Sequence, residues 1–264
     1  RPADHPVIVH IGAIEHLAQW GATVPASAAT LADACWPGPL TLVVPRAAGV
    51  LDVVTGGLDT VGVRMPAHSL TLDLLSRFGG GLAAPSANRF GRVSPTTANH
   101  VRADLGDDVD LILDGGPCPI GVESTIVDCT VEPPQVLRPG AISAEDIAVL
   151  LNEPVAPASG VSRAPGMLES HYAPRCRVVL VGSSNEATAV LGAQRDAEIL
   201  DEPNLVRYAQ TLYSRLRDAD ARGVSTVIAV LPPATGLGHA IRDRLTKAAA
   251  GSISGRRVTR PPSV

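Results

Sequence analysis

The sequence predicts an α/β fold with α+β character: a twisted sheet of mixed strand direction with flanking helices, followed by a smaller parallel α/β domain. In the first part of the chain, short strands lie close together and mix irregularly with helices, which favours mixed strand direction over a doubly wound sheet. Beyond a stretch rich in Pro, Ala, Ser and Gly at 153–174, strands and helices alternate, which is typical of a parallel sheet. We therefore expect domains at 1–152 and 176–264, joined by a linker at 153–175.

The elements of the first domain are predicted from β-branched runs and from residues that begin or end helices. Ser143 is a candidate N-cap, with Asp146 three residues later as in a capping box. We predict strands at 7–11, 58–64, 123–128 and 135–138, a strand ending at Val44, a buried strand ending at 82–84 and a short buried strand at 109–113. Helices are expected at 13–20, 27–34, 69–78 and 143–151, and a further helix is expected to begin at 95–97.

The second domain is predicted by the same signals. Its strands are expected at 177–181 and 224–231, and its helices at 185–191, 205–221 and 236–249. No internal repeat relates it to the first domain.

Composition limits the class of protein. The 264 residues are 45% hydrophobic but only 3% aromatic, so the core must consist mostly of Ala, Val, Leu and Ile. No run is long enough to span a bilayer, and a net charge of −4 argues against a surface that coats nucleic acid. The four cysteines are scattered without metal-ligand spacing, which favours reduced thiols in a cytoplasmic protein.

The stretch Leu82–Pro95, LAAPSANRFGRVSP, places hydroxyl, amide and guanidinium groups directly after a predicted strand end. By itself it is most simply a polar turn, because Ser and Asn bond to nearby backbone. Similar side chains recur at other strand ends, where ligands of open sheets gather. Arg forks and hydroxyls suit phosphate oxygens, so an anionic ligand such as a nucleotide triphosphate is a second hypothesis. The basic and polar residues at these strand ends are Arg1, Arg64, Ser86 with Asn88, Ser94, Ser124 and Arg138.

Three carboxylates also lie near strand ends. They could hold a magnesium ion, although strand-end acids are common in proteins without a metal. They are Asp114, Glu123 and Asp128.

A set of motifs occurs in one order along the chain: RPADHPVIVHI, WPGPLTLV, TVGVRMP, APSAN followed by Ser94 and Pro95, and then ESTIVD and LRPG. This set resembles the YrdC-like threonylcarbamoyl-AMP synthases. The later APGMLESHYAP is similar to the linker of the longer members, which carry an additional C-terminal domain. The helix GLGHAIRDRLTKAA is similar to theirs as well.

The resemblance implies a YrdC-like sheet and a nucleotidyltransferase that makes threonylcarbamoyl-AMP and pyrophosphate from L-threonine, bicarbonate and ATP with Mg²⁺. The product would supply a downstream tRNA-modifying transferase complex acting on adenosine 37 of ANN-decoding tRNAs.

The resemblance also assigns residues. The positions implied on the ATP side are Arg1, His5, Thr60, Ser86, Asn88, Ser94 and Arg138, with His171, Tyr172 and Pro174 in a linker segment that closes over the nucleotide. Those implied for the threonine pocket are His10, Arg64, Ala84 and Ser124.

Elementary chemistry agrees with this assignment. Arg64 is a suitable bidentate partner for the threonine carboxylate, and the small Ala84 leaves room for a carbamate. The reaction needs no protein nucleophile, because positioning, charge neutralisation and exclusion of water can supply the catalysis.

The sequence departs from the family pattern in two places. The family's lysine shortly before the position of Arg1 has no counterpart, so we expect an N-terminally truncated chain. In the linker, Leu168–Ser170 replaces basic and aromatic residues, which predicts either a weaker contact with phosphate or a contact made by other groups.

Two alternatives stay open at this stage. A non-catalytic YrdC-like module could bind RNA through a local basic concavity, and weak tRNA contact is compatible with either function. Carbamoyl transfer from carbamoyl phosphate is disfavoured, since acylphosphatase-like and zinc-finger segments are missing from the sequence.

Overall fold

A computed structural model describes residues 5–160, 164–167, 171–192, 194 and 196–254. Each of the two compact units that the chain forms is assembled from two segments. The first unit contains 1–86 and 123–167, and the second contains 87–122 and 168–264. The predicted division at 152 and 175 remains a prediction.

The helices and strands follow the predicted order closely. In chain order they are β1 (Ile8–His10), a 3₁₀ turn (Ile14–His16), α1 (Leu17–Trp20), α2 (Ala26–Cys35), β2 (Leu40–Pro45), α3 (Asp52–Thr55), β3 (Thr60–Arg64), α4 (Ser69–Phe78), β4 (Leu82–Ala84), α5 (Ala98–Leu105), a 3₁₀ turn (Gly106–Asp108), β5 (Thr125–Asp128), β6 (Gln135–Arg138), α6 (Ala144–Leu151), β7 (Ala156–Pro157), β8 (Arg177–Val181), α7 (Ser184–Gly192), β9 (Ala197–Leu200), α8 (Leu205–Arg222), β10 (Thr226–Val230) and α9 (Leu237–Ser254).

The first unit is built on a seven-stranded sheet in the order β4-β1-β3-β2-β5-β6-β7. Parallel pairs (β1 with β3, β2 with β5, β6 with β7) are interleaved with antiparallel ones. The prediction of mixed strand direction is confirmed.

One face of this sheet packs on helices and forms the main core of the first unit. Val9 and Val63 on β1 and β3, and Leu42 on β2, are fully buried. They form one cluster with Leu31 of α2 and Ile147 of α6. Alternation along each strand turns the intervening residues to the opposite face, and the predicted site residues that are on strands lie there.

The predicted capping box is confirmed at the start of α6. The Ser143 hydroxyl accepts a hydrogen bond from the Asp146 backbone N–H at 3.1 Å, and the Asp146 carboxylate accepts one from the Ser143 N–H at 3.1 Å. These reciprocal bonds satisfy two donors that the helix leaves without intrahelical partners.

The second unit contains a three-stranded parallel sheet in the order β8-β10-β9. The expected small parallel sheet is therefore confirmed, with β9 as a strand that the sequence analysis did not predict, because Glu198 interrupts its apolar run. Apolar side chains of α8, such as Leu212 and Leu216, pack with Val227 of β10 and Ile241 of α9. Among the described helices, none combines the length and apolar character that crossing a bilayer requires.

Two predicted strands were wrong in whole or in part. Residues 109–113 form no strand, and Leu111 and Leu113 are 75% and 51% exposed. Apolar residues give this segment strand propensity, but a strand also needs a partner, and no described strand pairs with it. Leu82–Ala84 does form a strand, but at the edge of the sheet and half-buried to exposed rather than buried.

Candidate functional site

Strand register places the residues implied for threonine on one face of the seven-stranded sheet. β1 runs parallel to β3 with His10 opposite Arg64 and Ile8 opposite Gly62, and β4 runs antiparallel to β1 with Ala84 opposite Ile8. Residues paired across strands, and alternate residues along one strand, point to the same side of a sheet. His10, Arg64 and Ala84 therefore share a face, which we call the site face.

Two residues implied for ATP lie on the same face. Thr60 begins β3 and alternates with the site-face residues of that strand. Arg138 of β6 pairs with Ile126 of β5, which pairs with Thr41 of β2. Thr41 is two residues from Val43 on β2, so both point to the same side of the sheet. Val43 pairs with Gly62 of β3, which is on the site face. Strands β1, β3, β2 and β6 thus contribute polar side chains to one surface, with the apolar Ile126 of β5 between β2 and β6.

Ser124 joins this surface through hydrogen bonds. It directly precedes β5 and is 2% exposed. Its Oγ lies 2.7 Å from Thr41 Oγ1, and Arg138 Nη2 donates to it at 3.0 Å. Arg138 Nη1 also donates to the carbonyl oxygen of Pro165 at 3.2 Å, so the segment at 164–167, within the Pro-rich stretch, is attached to the site face.

Arg64 and His10 form the most distinctive pair on the site face. Arg64 Nε donates to the carbonyl oxygen of Gly38 at 3.0 Å, which fixes the guanidinium against the turn before β2. Burial, together with the nearby Arg64 cation, lowers the pKa of His10 to about 4, so the imidazole is neutral at pH 7. His10 Nδ1 is buried without a hydrogen-bond partner among the described residues.

This pair has a clear chemical capability. A guanidinium can bind a carboxylate through two parallel hydrogen bonds, whereas a neutral imidazole can donate at one nitrogen and accept at the other. An unpaired buried nitrogen costs free energy, and a polar ligand can relieve that cost. The arrangement suits a small zwitterion that carries a further hydroxyl.

A narrow pocket opens on the site face. Its polar lining comes from threonine hydroxyls of β2, α3 and β3. Gly62, which also lines the pocket, has no side chain to fill it. The lining includes Ile8, Thr41, Thr55, Thr60, Ala164 and Pro165.

The remaining predicted residues of the first unit lie next to strands rather than on them. His5 precedes β1 and Ser86 follows β4, and both are half-buried. Arg1 lies outside the described residues. The exposed edge position of Ala84 leaves open space beside β4.

Asn88 and Ser94 belong to the second unit. Asn88 is 6% exposed, and its amide donates to the carbonyl oxygens of Arg89 and Arg92 at 3.1 and 2.9 Å. It therefore braces the turn that follows β4. Ser94 is 4% exposed, and its carbonyl oxygen accepts from Arg217 Nε at 3.2 Å.

The linker residues of the second unit are packed against the same turn. His171 is 5% exposed and makes edge contacts with Phe90 and Tyr172, with ring centroids 6.1 and 4.1 Å apart. The backbone N–H of Ala173 donates to the carbonyl oxygen of Gly91 at 2.9 Å. Tyr172 and Pro174 are also buried.

The carboxylate hypothesis for a metal is not supported by the geometry. Within the described ranges, no group of three or more His, Cys, Asp or Glu side chains is arranged to hold a metal ion. Asp128 instead stabilises a turn, with its Oδ1 accepting from the backbone N–H and hydroxyl of Thr130 at 2.9 and 2.6 Å.

Sequence reasoning missed three residues that organise these groups. Thr41 is an unremarkable strand residue in the sequence, yet its hydroxyl bonds to Ser124. Arg217 and Asp220 lie in a helix with many charges, and their contacts with the segments at 92–94 and 175–176 are non-local. The one signal in the sequence is helical spacing: Arg217 and Asp220 lie near the side of α8 that carries the apolar residues Leu212 and Leu216, which indicates that both charged side chains are partly buried.

Comparison with known proteins identifies the class. A model of the Sua5, YciO and YrdC family, described as "Telomere recombination", matches residues 1–140, and a model described as "Threonylcarbamoyl-AMP synthase, C-terminal domain" matches residues 142–250. The chain belongs to this family, in the longer form with the additional C-terminal domain.

Individual relatives agree with this placement. The threonylcarbamoyl-AMP synthase of Pyrococcus abyssi is 38% identical over 275 residues, an alignment that covers 94% of this chain and 81% of the relative. The enzyme of that name from Bacillus subtilis is 38% identical over 283 residues, covering 96% and 82%. The crystal structure of P. abyssi Sua5 complexed with L-threonine has a TM-score of 0.88 at 37% identity, covering 96% of this chain and 82% of that one.

Proposed function

We propose that this protein is an L-threonylcarbamoyladenylate synthase, and therefore a nucleotidyltransferase. It forms threonylcarbamoyl-AMP and pyrophosphate from L-threonine, bicarbonate and ATP. The observation that carries the proposal is the pairing of Arg64 with a neutral His10 on the site face. It is supported by the similarity to a Sua5 structure that contains L-threonine.

The threonine side of the site follows from these two side chains. The Arg64 guanidinium binds the carboxylate, and the neutral His10 exchanges a hydrogen bond with the amine or the hydroxyl. Ser124 would contribute its hydroxyl to the threonine site, and Ala84 leaves space for the carbamate. The neutral state of His10 matters, since an imidazolium would repel an ammonium group and could not accept a hydrogen bond from it.

The reaction then needs no protein nucleophile. The threonine amine attacks bicarbonate with loss of water, which gives a carbamate. A carbamate oxygen attacks the α-phosphate of ATP in line, the P–O bond to the β-phosphate breaks, and pyrophosphate leaves. Positioning and neutralisation of the developing charge lower the barrier.

The residues on the nucleotide side are those that the family resemblance implies. In the first unit, Thr60 and Arg138 lie on the site face, and Ser86, His5 and Arg1 are the other implied ATP contacts. In the second unit, the implied ATP contacts are Asn88, Ser94, His171, Tyr172 and Pro174, and the last three would also shield the hydrolysable adenylate from water. Mg²⁺ would enter the reaction bound to ATP, as the Mg·ATP substrate.

The product also indicates the next reaction. A mixed anhydride between a carbamate and AMP transfers its acyl group readily, so a separate transferase complex would consume it. We propose that this acceptor reaction modifies adenosine 37 of ANN-decoding tRNAs in the cytoplasm.

Pyrophosphate release is the test. The full chain is incubated with Mg·ATP, L-threonine and bicarbonate, and each component is omitted in turn, with ¹⁴C-bicarbonate to follow its incorporation into an adenylate. We expect pyrophosphate and labelled adenylate only when all components are present. Equal release without threonine, or none with the complete mixture, would reject the proposal. Salt-dependent RNA binding without turnover would instead support the RNA-binding module.

A further inference from the structure

Helix α8 presents one face to two segments that carry implied nucleotide contacts. Tyr213, Arg217 and Asp220 follow one another at spacings of four and three, so they lie on the same side of the helix. This α8 stripe contacts residues 92–94 and residues 172–176. All of these residues belong to the second unit.

Arg217 holds the turn that ends in Ser94. Its Nε donates to the carbonyl oxygen of Ser94 at 3.2 Å, and its Nη2 donates to the carbonyl oxygen of Val93. The same guanidinium pairs with both carboxylate oxygens of Asp104 at 3.0 and 2.6 Å. The two side chains are only 14% and 19% exposed.

The hydrogen bonds from Arg217 orient a backbone segment that belongs to no helix or strand. Residues 93–95 lie in neither helix nor strand, so no ladder of hydrogen bonds orients their carbonyls. Val93 is 3% exposed and packs into the core of the second unit. Because the bidentate pair with Asp104 sets the guanidinium plane, the positions of its remaining donors are determined before any ligand binds.

The other residues of the α8 stripe hold the linker. The Tyr172 ring stacks on Tyr213 at 5.6 Å between centroids. The Asp220 carboxylate accepts from the backbone N–H groups of Arg175 and Cys176, at 2.8 and 2.9 Å. One helix face therefore positions both the Ser94 turn and the linker.

We propose that Arg217 is a positioning residue for the nucleotide: it sets the backbone of Val93 and Ser94, and the α8 stripe holds the linker in register with that turn. This inference rests on the proposed function, because Ser94 and the linker are taken as ATP contacts. It gives the C-terminal domain a role in catalysis through geometry, without any contact of its own with the substrate.

The test separates the positive charge of Arg217 from the planar geometry of its guanidinium, and both from a general effect on the stability of the protein. Arg217→Lys keeps the charge but lacks the planar fork, Arg217→Met removes both, and the double variant Arg217→Met/Asp104→Leu also removes the carboxylate that would be left unpaired. Arg222→Met is the matched control, since Arg222 lies on the same helix and pairs with Glu198. For each variant, kcat, the KM values for ATP and threonine, and Tm are measured.

We expect the KM for ATP to rise about tenfold in Arg217→Met and in the double variant, and less in Arg217→Lys. The KM for threonine should change by less than about twofold, and Arg222→Met should match the wild type. Equal rises in both KM values, or a lower Tm with unchanged KM values, would overturn the inference in favour of a purely structural role.

Failure of the positioning role can be distinguished from failure of the proposed function. If Arg217→Met does not fold, the double variant and Arg217→Lys still decide the question. If the wild type itself releases no pyrophosphate, the proposed function fails, and ATP affinity measured by equilibrium dialysis then tests the positioning role. Equal ATP affinity in wild type and folded Arg217 variants would reject it.

Discussion

Arg138 donates twice to Ser124: Nε to its carbonyl oxygen and Nη2 to its hydroxyl, both at 3.0 Å. The Arg138 side chain also donates to the carbonyl oxygen of Pro165, and the residue is only 4% exposed. One buried guanidinium thus joins β6, the residue before β5 and the segment at 164–167 within the Pro-rich stretch. Any ATP contact by Arg138 would be made from a side chain that three protein oxygens already orient.

Replacing this guanidinium should destabilise the first unit. In Arg138→Met the carbonyl oxygens of Ser124 and Pro165 lose their donor, and each buried unpaired acceptor costs about 1–3 kcal/mol. We expect the free energy of unfolding, measured by urea denaturation, to fall by roughly 2 kcal/mol or more. Arg77→Met is the control, because Arg77 is exposed and pairs with Asp73 along one helix turn. An equal change in both variants would contradict the role of Arg138.

Arg64 should govern the requirement for threonine. Arg64→Ala removes the proposed partner of the substrate carboxylate, and we expect the KM for threonine to rise about tenfold or more while the KM for ATP changes little. Arg64→Lys keeps the charge but not the fork, so it should recover only part of the affinity. Steady-state pyrophosphate release at varied threonine and ATP gives both constants. Parallel effects on both substrates would refute the assignment.

The pH dependence of stability should reveal His10. Its pKa in the folded protein is about 4, against the ordinary 6.5, so between these values the unfolded chain binds a proton that the folded chain does not. The stability that comes from keeping His10 neutral is therefore fully present above pH 6.5. As the pH falls from 6.5 towards 4, protonation of His10 in the unfolded chain lowers the free energy of unfolding. Urea denaturation of the wild type at pH 7 and pH 5 should show this loss. His10→Gln should show a smaller difference; an identical pH dependence would mean that His10 is not held neutral.

A glycine next to the Arg138 network tests how tightly the site face is packed. A Cβ at Gly140 would lie 2.3 Å from the backbone nitrogen of Thr125 and 2.7 Å from the carbonyl carbon of Ser124. Gly140→Ala should therefore displace Ser124, lower the free energy of unfolding by about 1–3 kcal/mol and raise the KM for threonine. Gly49→Ala is the control, because nothing lies within 4 Å of its Cβ position. Tolerance of both changes would show that the backbone near Ser124 can yield.

Local features of the fold could be predicted because they depend on neighbours in sequence. The capping box at Ser143 and Asp146 and the bounds of α4 and β8 all follow from residues within one or two helical turns or one strand. The same reasoning was wrong for 109–113, since propensity alone cannot supply a strand partner. It missed β9 because a parallel sheet can place a strand with a mixed apolar pattern at its edge.

The sequence by itself determined which chemical groups were available: the guanidinium of Arg64, the imidazole of His10 and the hydroxyls near strand ends. Tertiary structure decided how they act. Strand register placed His10 opposite Arg64 although many residues separate them, and burial beside a cation then lowered the pKa of the imidazole. Contacts such as Arg217 with Ser94 are likewise set by packing between distant segments. Register and burial are properties of the whole fold, so residue types alone cannot specify them.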